Sequence, residues 1–140
     1  MIIFTDVNIR KRLGPLVALL DADIREVIEL QDHRDHFRHN TPDEEWLSAL
    51  GNWETQPHIL SYDGRILRTP ALLEILRKVN LSFVYLRGYA NLPWNRQVQN
   101  LAEVWPRLIR TLWRSEKAMV FEVNQRGKIT ALGHTATFRL

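Results

Sequence analysis

His58-Ile59-Leu60-Ser61-Tyr62-Asp63-Gly64 decides how the chain is to be read. A short apolar run ends in an acidic residue and a glycine, the pattern of a buried strand that stops at a turn. Thr69 and Pro70 then read as the cap and first residue of a helix, with Leu72, Leu73, Ile75 and Leu76 on its apolar side and Asn80 ending it. Upstream, Ile2-Ile3-Phe4-Thr5 closes on Asp6, and Ile9, Leu13, Leu16, Val17 and Leu20 recur at helical spacing. Gly14-Pro15 is expected to cut that helix in two, because proline removes a donor and crowds the preceding turn.

The same grammar continues along the chain. Glu26 to Leu30 is a second strand candidate, followed by a polar loop from Gln31 to Thr41. Thr41 reads as the cap of a helix beginning at Pro42, with Glu44 completing a capping box and Trp46, Leu47 and Leu50 as the buried stripe. Leu81 to Leu86 is a fourth strand, and Gly88 to Pro93 a loop. Trp94 to Arg114 is the longest helical pattern, and Pro106 is expected to kink or restart it. Two final strands, Ala118 to Val123 and Lys128 to Leu132, flank the turn Asn124-Gln125-Arg126-Gly127. Alternating strands and helices predict an α/β fold with a mainly parallel central sheet, helices on both faces and a C-terminal β-hairpin.

Composition limits the function. With 140 residues, 45% hydrophobic and 25% charged, the chain suits one compact domain with a real core rather than a disordered segment. We expect a single domain over residues 1–140, with its core at 1–114 and the hairpin extension at 115–140. Without cysteine there is no thiolate catalysis, thiolate metal site or disulfide. No apolar stretch is long enough to span a bilayer, so a soluble cytoplasmic protein without membrane attachment is expected. The net charge of +3 favours a polyanionic partner.

Asp6, Asp43 and Asp63 fall at edges of this pattern: two close strands and one opens a helix. In open α/β sheets such edges gather beyond the carboxyl ends of the strands, where ligands bind. Carboxylates that stay ionised together normally hold a hard divalent cation, although each taken alone is explained as a turn cap or a favourable charge at a helix start. Among the basic clusters, which mostly suit solvated helix faces, Arg10, Lys11 and Arg12 and the pair Arg65 and Arg68 lie just past Asp6 and Asp63. They are the better candidates for phosphate contacts.

Asp6-Val7-Asn8 after a first strand, Thr41-Pro42-Asp43-Glu44-Glu45-Trp46, Ser61-Tyr62-Asp63 after another strand, and Gly88-Tyr89-Ala90-Asn91-Leu92 before a Trp-rich helix together resemble the PIN-like nucleases. The resemblance runs over roughly Met1 to Arg114 and points to a compact branch that includes VapC-type toxins of toxin–antitoxin pairs. It implies Asp6, Asp43 and Asp63 as ligands of Mg2+ or Mn2+, Asn8 as a polar neighbour of the first carboxylate and Ser61 as the hydroxyl preceding the last. It also implies hydrolysis of RNA phosphodiesters and an antitoxin protein as partner; assembly as a homodimer is left open. Two departures stand out. The family usually draws a fourth acid from a helix before the position of Asp43, for which Glu44 is the substitute here. Some relatives have a further Asp where this chain has Arg65, which leaves room for a weak or inactive PIN-like protein or RNA binding module.

Other constellations compete less well. His33, His36 and His39 recur at three-residue intervals and would suit zinc or nickel if helical, but an ordinary exposed loop or an RNA-contacting flap explains them with less. The five tryptophans suit core packing for the most part, with Trp94 and Tyr89 the exceptions placed for base stacking. There is no Gly-rich phosphate loop, Gly-x-Ser-x-Gly elbow or zinc-protease histidine pair. An aspartyl phosphotransferase on Asp6 would want a second acid where Asn8 stands, and a receiver-like domain would want paired acids and a lysine in a late strand.

Overall fold

Each strand alternates its side chains between two faces, and both faces are apolar, which requires helices on each side. The computed structural model describes the backbone of residues 1–20 and 28–139, and their side chains apart from those of residues 18–20. In it β1 (Ile2–Thr5), β2 (Glu29–Asp32), β3 (His58–Ser61), β4 (Phe83–Leu86), β5 (Met119–Val123) and β6 (Ile129–His134) form one sheet in the order β2-β1-β3-β4-β5-β6. All neighbours are parallel except β5 and β6, which form the antiparallel hairpin. Ile3, Leu60, Val84 and Phe121 face α1 (Leu13–Leu20) and α6 (Trp94–Arg114). Their neighbours Phe4, Ile59, Phe83 and Val120 face α3 (Asp43–Gly51), α4 (Arg65–Arg68) and α5 (Pro70–Val79).

Several elements differ from the sequence reading for local physical reasons. The helix α1 begins at Leu13, so Pro15 lies in its first turn, where its missing N–H has no intrahelical partner to lose; the helix is not cut there. Ile9 is buried but belongs to the turn before the helix. The second strand runs Glu29–Asp32, later than expected, and Glu26 and Val27 lie outside the described residues. It continues directly into α2 (His33–His36), a one-turn helix in the span expected to be loop. Asp32 caps it by accepting from the Arg34 N–H at 2.8 Å.

The capping box expected at Thr41 and Glu44 does not form: Pro42 takes the cap position without a side-chain bond. Asp43, Glu44 and Glu45 crowd the first turn instead, where the helix dipole favours carboxylates. Thr69 does precede α5, with Pro70 first, but its hydroxyl donates back to the Arg65 carbonyl at 2.8 Å and closes α4, a short helix the sequence reading did not contain. Asn80 ends α5 in the left-handed region at φ 56°. Pro106 does not restart α6, which runs on as one helix of 21 residues. The buried stripe Leu101, Val104, Trp105, Leu108, Ile109 and Leu112 supplies on the order of 10 kcal/mol of apolar burial, more than the about 3 kcal/mol that an interior proline costs. No helix among the described residues is long and apolar enough to cross a membrane.

Candidate functional site

The parallel strands place the ends of β1 and β3 side by side, since Thr5 pairs with Leu60 and the Asp6 N–H donates to the Leu60 carbonyl at 2.9 Å. Asp6 is therefore carried by the sheet rather than by a free loop, and its side chain is buried, 3% exposed. Its Oδ1 accepts from the Val7 N–H at 2.6 Å, and its Oδ2 accepts from the Ser61 hydroxyl at 2.7 Å and the Asn8 amide at 3.4 Å. Ser61 in turn accepts from Asn8 Nδ2 at 3.2 Å and from the Asp63 N–H at 2.9 Å. The Asn8 carbonyl oxygen accepts from the Tyr62 N–H at 3.1 Å. One network thus fixes the turn after β1 against the turn after β3.

Asp43 reaches this region from the first turn of α3. Its Oδ1 accepts from Trp46 Nε1 at 2.9 Å, and the buried Trp46 ring stacks on Phe4 of β1 with centroids 5.7 Å apart. Asp63 is half-buried and held by Arg65, whose Nε and Nη2 donate to its two oxygens at 3.0 and 2.9 Å while the Arg65 N–H donates at 2.9 Å.

Electrostatics tie the three acids together. Burial pushes the Asp6 carboxyl up from 3.8 to about 6 against the bonds from Ser61 and Val7, and the charges of Asp43 and Asp63 push it further in the same direction. Asp63 moves the other way, below the usual carboxylate range, chiefly through its bond from Arg65. Hard oxygen donors under mutual repulsion have the chemistry that a divalent cation relieves. The donor set fits such an ion in kind. Among the described residues, however, no group of three or more His, Asp or Glu side chains stands ready to hold one, and the Arg65 guanidinium lies where Asp63 would bind it.

The other expected site residues separate. Glu44 is exposed in the first turn of α3, and the nearby charges that chiefly act on Asp6 are those of Asp43 and Asp63. The Arg10 guanidinium lies 4.9 Å from the centre of the Trp94 ring. Lys11 is paired with Asp35 at 2.7 Å. Arg65 is committed to Asp63, and Arg68 is exposed at the end of α4, where its charge also helps keep Asp63 ionised. Tyr89, expected as a stacking residue, is fully buried and donates to the Asn124 carbonyl at 3.1 Å; Trp94 is half-buried. Trp113, expected in the core, is 57% exposed. His33 packs among Phe4, Phe37 and Trp46, and His36, whose ring also neighbours Phe4 and Phe37, bonds Gln31 at 2.7 Å and tilts against Trp53.

Asp32 is the acid that sequence reasoning missed. It ends β2 as Asp6 and Asp63 follow β1 and β3, pairs with Thr5 in the sheet and is 8% exposed. Ending the second strand at its acid, as for the other two, would have found it. Thr5 and Arg34 satisfy its carboxylate, and Arg34 also donates to the Val7 carbonyl at 2.6 Å, fastening this strand end to the Asp6 turn.

A family model described as a PIN-like domain matches residues 1–88, a span that holds Asp6, Asp43, Asp63 and the strands β1 to β4 that frame them. No curated protein and no solved structure matches the chain. PIN domains are in general nucleases and commonly use divalent metals, so the carboxylate edge lies on a nuclease-type fold. The order of the strands, the buried acid network and the family match lead to one assignment: the chain belongs to the PIN-like domain family.

Proposed function

We propose that the protein is a metal-dependent endoribonuclease acting as the toxin of a toxin–antitoxin pair of the VapC type. The observation that carries the reading is the buried Asp6 carboxyl, locked to Ser61 and Asn8 at the strand edge where α/β folds bind ligands, with Asp43 and Asp63 close enough to act on it. Asp6, Asp43 and Asp63 would hold Mg2+ or Mn2+, which when bound neutralises the scissile phosphate and lowers the pKa of an attacking water. Ser61 and Asn8 orient Asp6 by donating to its Oδ2, and Trp46 orients Asp43. Arg65 holds Asp63 ionised and must turn away before both of that residue's oxygens are open; its exposed guanidinium is then free for a phosphate. Arg10, Lys11 and Arg68 follow the same turns and offer further phosphate contacts.

The same Arg65 contact favours a second reading, a PIN-like module that binds RNA or protein with little or no cutting. Incubating a cellular RNA pool with folded wild type, Asp6→Asn and Asp63→Asn, with Mn2+ or with chelator, separates the two. Metal-dependent cutting lost in both variants supports the nuclease, whereas RNA binding that survives chelation and both substitutions without any cutting supports the module. For the antitoxin we propose the free edge of β6 as the docking strand, since an open edge offers unpaired backbone groups to an added strand.

A further inference from the structure

A large groove lies away from the carboxylates. It has a volume of about 1070 Å³ and runs between the C-terminal half of α6 and the β5–β6 hairpin. Arg107, Arg110 and Arg114 rise from one side of α6 at spacings of three and four residues, which stacks them along one face of the helix. Lys117 and Lys128 supply charge from the connection before β5 and from the start of β6. Against these five cations the groove carries the single carboxylate of Glu116. All five are exposed, and none of them is in an ion pair among the described residues, whereas Lys11, Arg34, Arg65, Arg77 and Arg87 each have one.

The groove is built rather than incidental. Gly127 in the hairpin turn has φ 83°, and a Cβ there would come within 3.0 Å of Arg107 Nη2, so the turn closes directly against that guanidinium. Since β4 and β5 are parallel and α6 connects them, the helix runs opposite to the strands. Arg114 therefore lies toward the start of β5, and Arg107 toward its end. There the charge continues in Arg126 of the turn, with Arg87, paired to Glu122, beside Gly88. That is the edge of the sheet that also carries Asp63, two strands away through β4 and β3, about 10 Å at the usual strand spacing.

We propose that this groove binds the phosphate backbone of a single-stranded RNA and leads it toward the carboxylate edge. Arginine forks suit phosphate oxygens, and a line of charge that runs toward the sheet edge carrying the acids fits an extended polyanion better than an acidic peptide confined to the groove. The proposal rests on the nuclease reading only for where the strand goes, so its test does not depend on cutting.

The test is binding of a labelled single-stranded RNA oligonucleotide, in chelator and in an Asp63→Asn background, followed by fluorescence anisotropy across a salt series. Arg107→Gln/Arg110→Gln/Arg114→Gln is compared with the equally charge-depleted Arg38→Gln/Lys78→Gln/Arg139→Gln, which changes exposed residues elsewhere. The groove triple is expected to bind at least about tenfold more weakly, with a salt slope shallower by about 2, while the control triple keeps the slope of the parent. Equal weakening by the two triples, no RNA binding by the parent, or stronger binding of polyglutamate than of RNA overturns the proposal. Groove-dependent binding by a wild type that cuts no RNA with Mn2+ would leave the groove standing and remove the nuclease reading alone.

Discussion

Asp6 is the residue on which stability and function pull in opposite directions. Its folded pKa of about 6 lies above the ordinary 3.8, so the folded protein favours the protonated form. The resulting stability is fully present below about pH 4 and is lost as pH rises through about 6. At pH 7 to 8 the ionised, buried carboxylate carries a penalty of about 3 kcal/mol, from a shift of roughly two units. Asp6→Asn, which cannot ionise, should therefore melt higher than wild type at pH 7.5, with the gain shrinking to nothing or reversing at pH 4. Melting curves at the two pH values check this, and an equal difference at both would contradict it. Arg65→Gln acts on the neighbouring acid. Because Arg65 is 78% exposed, its pair contributes little to folding, but it occupies both oxygens of Asp63. The variant should bind Mn2+ more tightly in calorimetry while melting within a degree or two of wild type. Unchanged or weaker binding would mean that Arg65 does not compete with the ion. The Asp6 and Asp63 positions were legible in the sequence because each follows a short apolar run, but Arg65 on Asp63 was not, since a bidentate contact two residues away depends on the turn geometry.

Elements were legible where an apolar period ran without competition and obscure where polar side chains made the structure. The helix α6 matches its sequence pattern from Trp94 to Arg114 because its stripe is continuous, and the hairpin because Asn124 to Gly127 is a strong turn. The helix α2 was hidden, since what builds it is a single capping bond from Asp32 and the burial of His33 among aromatic rings, neither of which leaves a period. With β2 read too early, Asp32 was lost from the acids at the sheet edge. Two predictions belong at this scale. Pro106→Ala restores an interior donor to an unbroken helix and should stabilise the protein by about 1 to 3 kcal/mol, read as a shift in the denaturant midpoint; destabilisation would show that the proline's shape is required by its neighbours. On β6, the Asn124 N–H donates to the Lys128 carbonyl, so by antiparallel alternation the Ala131 N–H faces the open edge. Ala131→Pro should leave folding nearly intact and weaken an antitoxin that adds a strand there by at least about tenfold, since it removes a ladder donor and crowds the edge. Full affinity in the variant would exclude docking at this edge.

At the scale of the molecule, the sheet order makes a site of residues far apart in sequence. Parallel pairing of β1 with β3 brings Asp6 beside Ser61 across 55 positions, and stacking of Trp46 on Phe4 fixes the start of α3, and with it Asp43, against the same edge. The fold therefore holds three like charges close enough to act on one another, with Asp63 paired to Arg65. An ion that binds this edge in the folded chain, and has no preformed site in the unfolded one, must stabilise the whole molecule in proportion to its occupancy. At a hundred times its dissociation constant the gain is about 2.7 kcal/mol. Wild type should accordingly melt several degrees higher with Mn2+ than with chelator, and the increment should grow above pH 6, where Asp6 gives up its proton without assistance. Asp6→Asn and Asp63→Asn should lose most of the increment while remaining folded. If the melts of wild type and both variants respond equally to Mn2+, the ion binds elsewhere, and the carboxylate edge is held together by Arg65 and the Ser61 network without a metal.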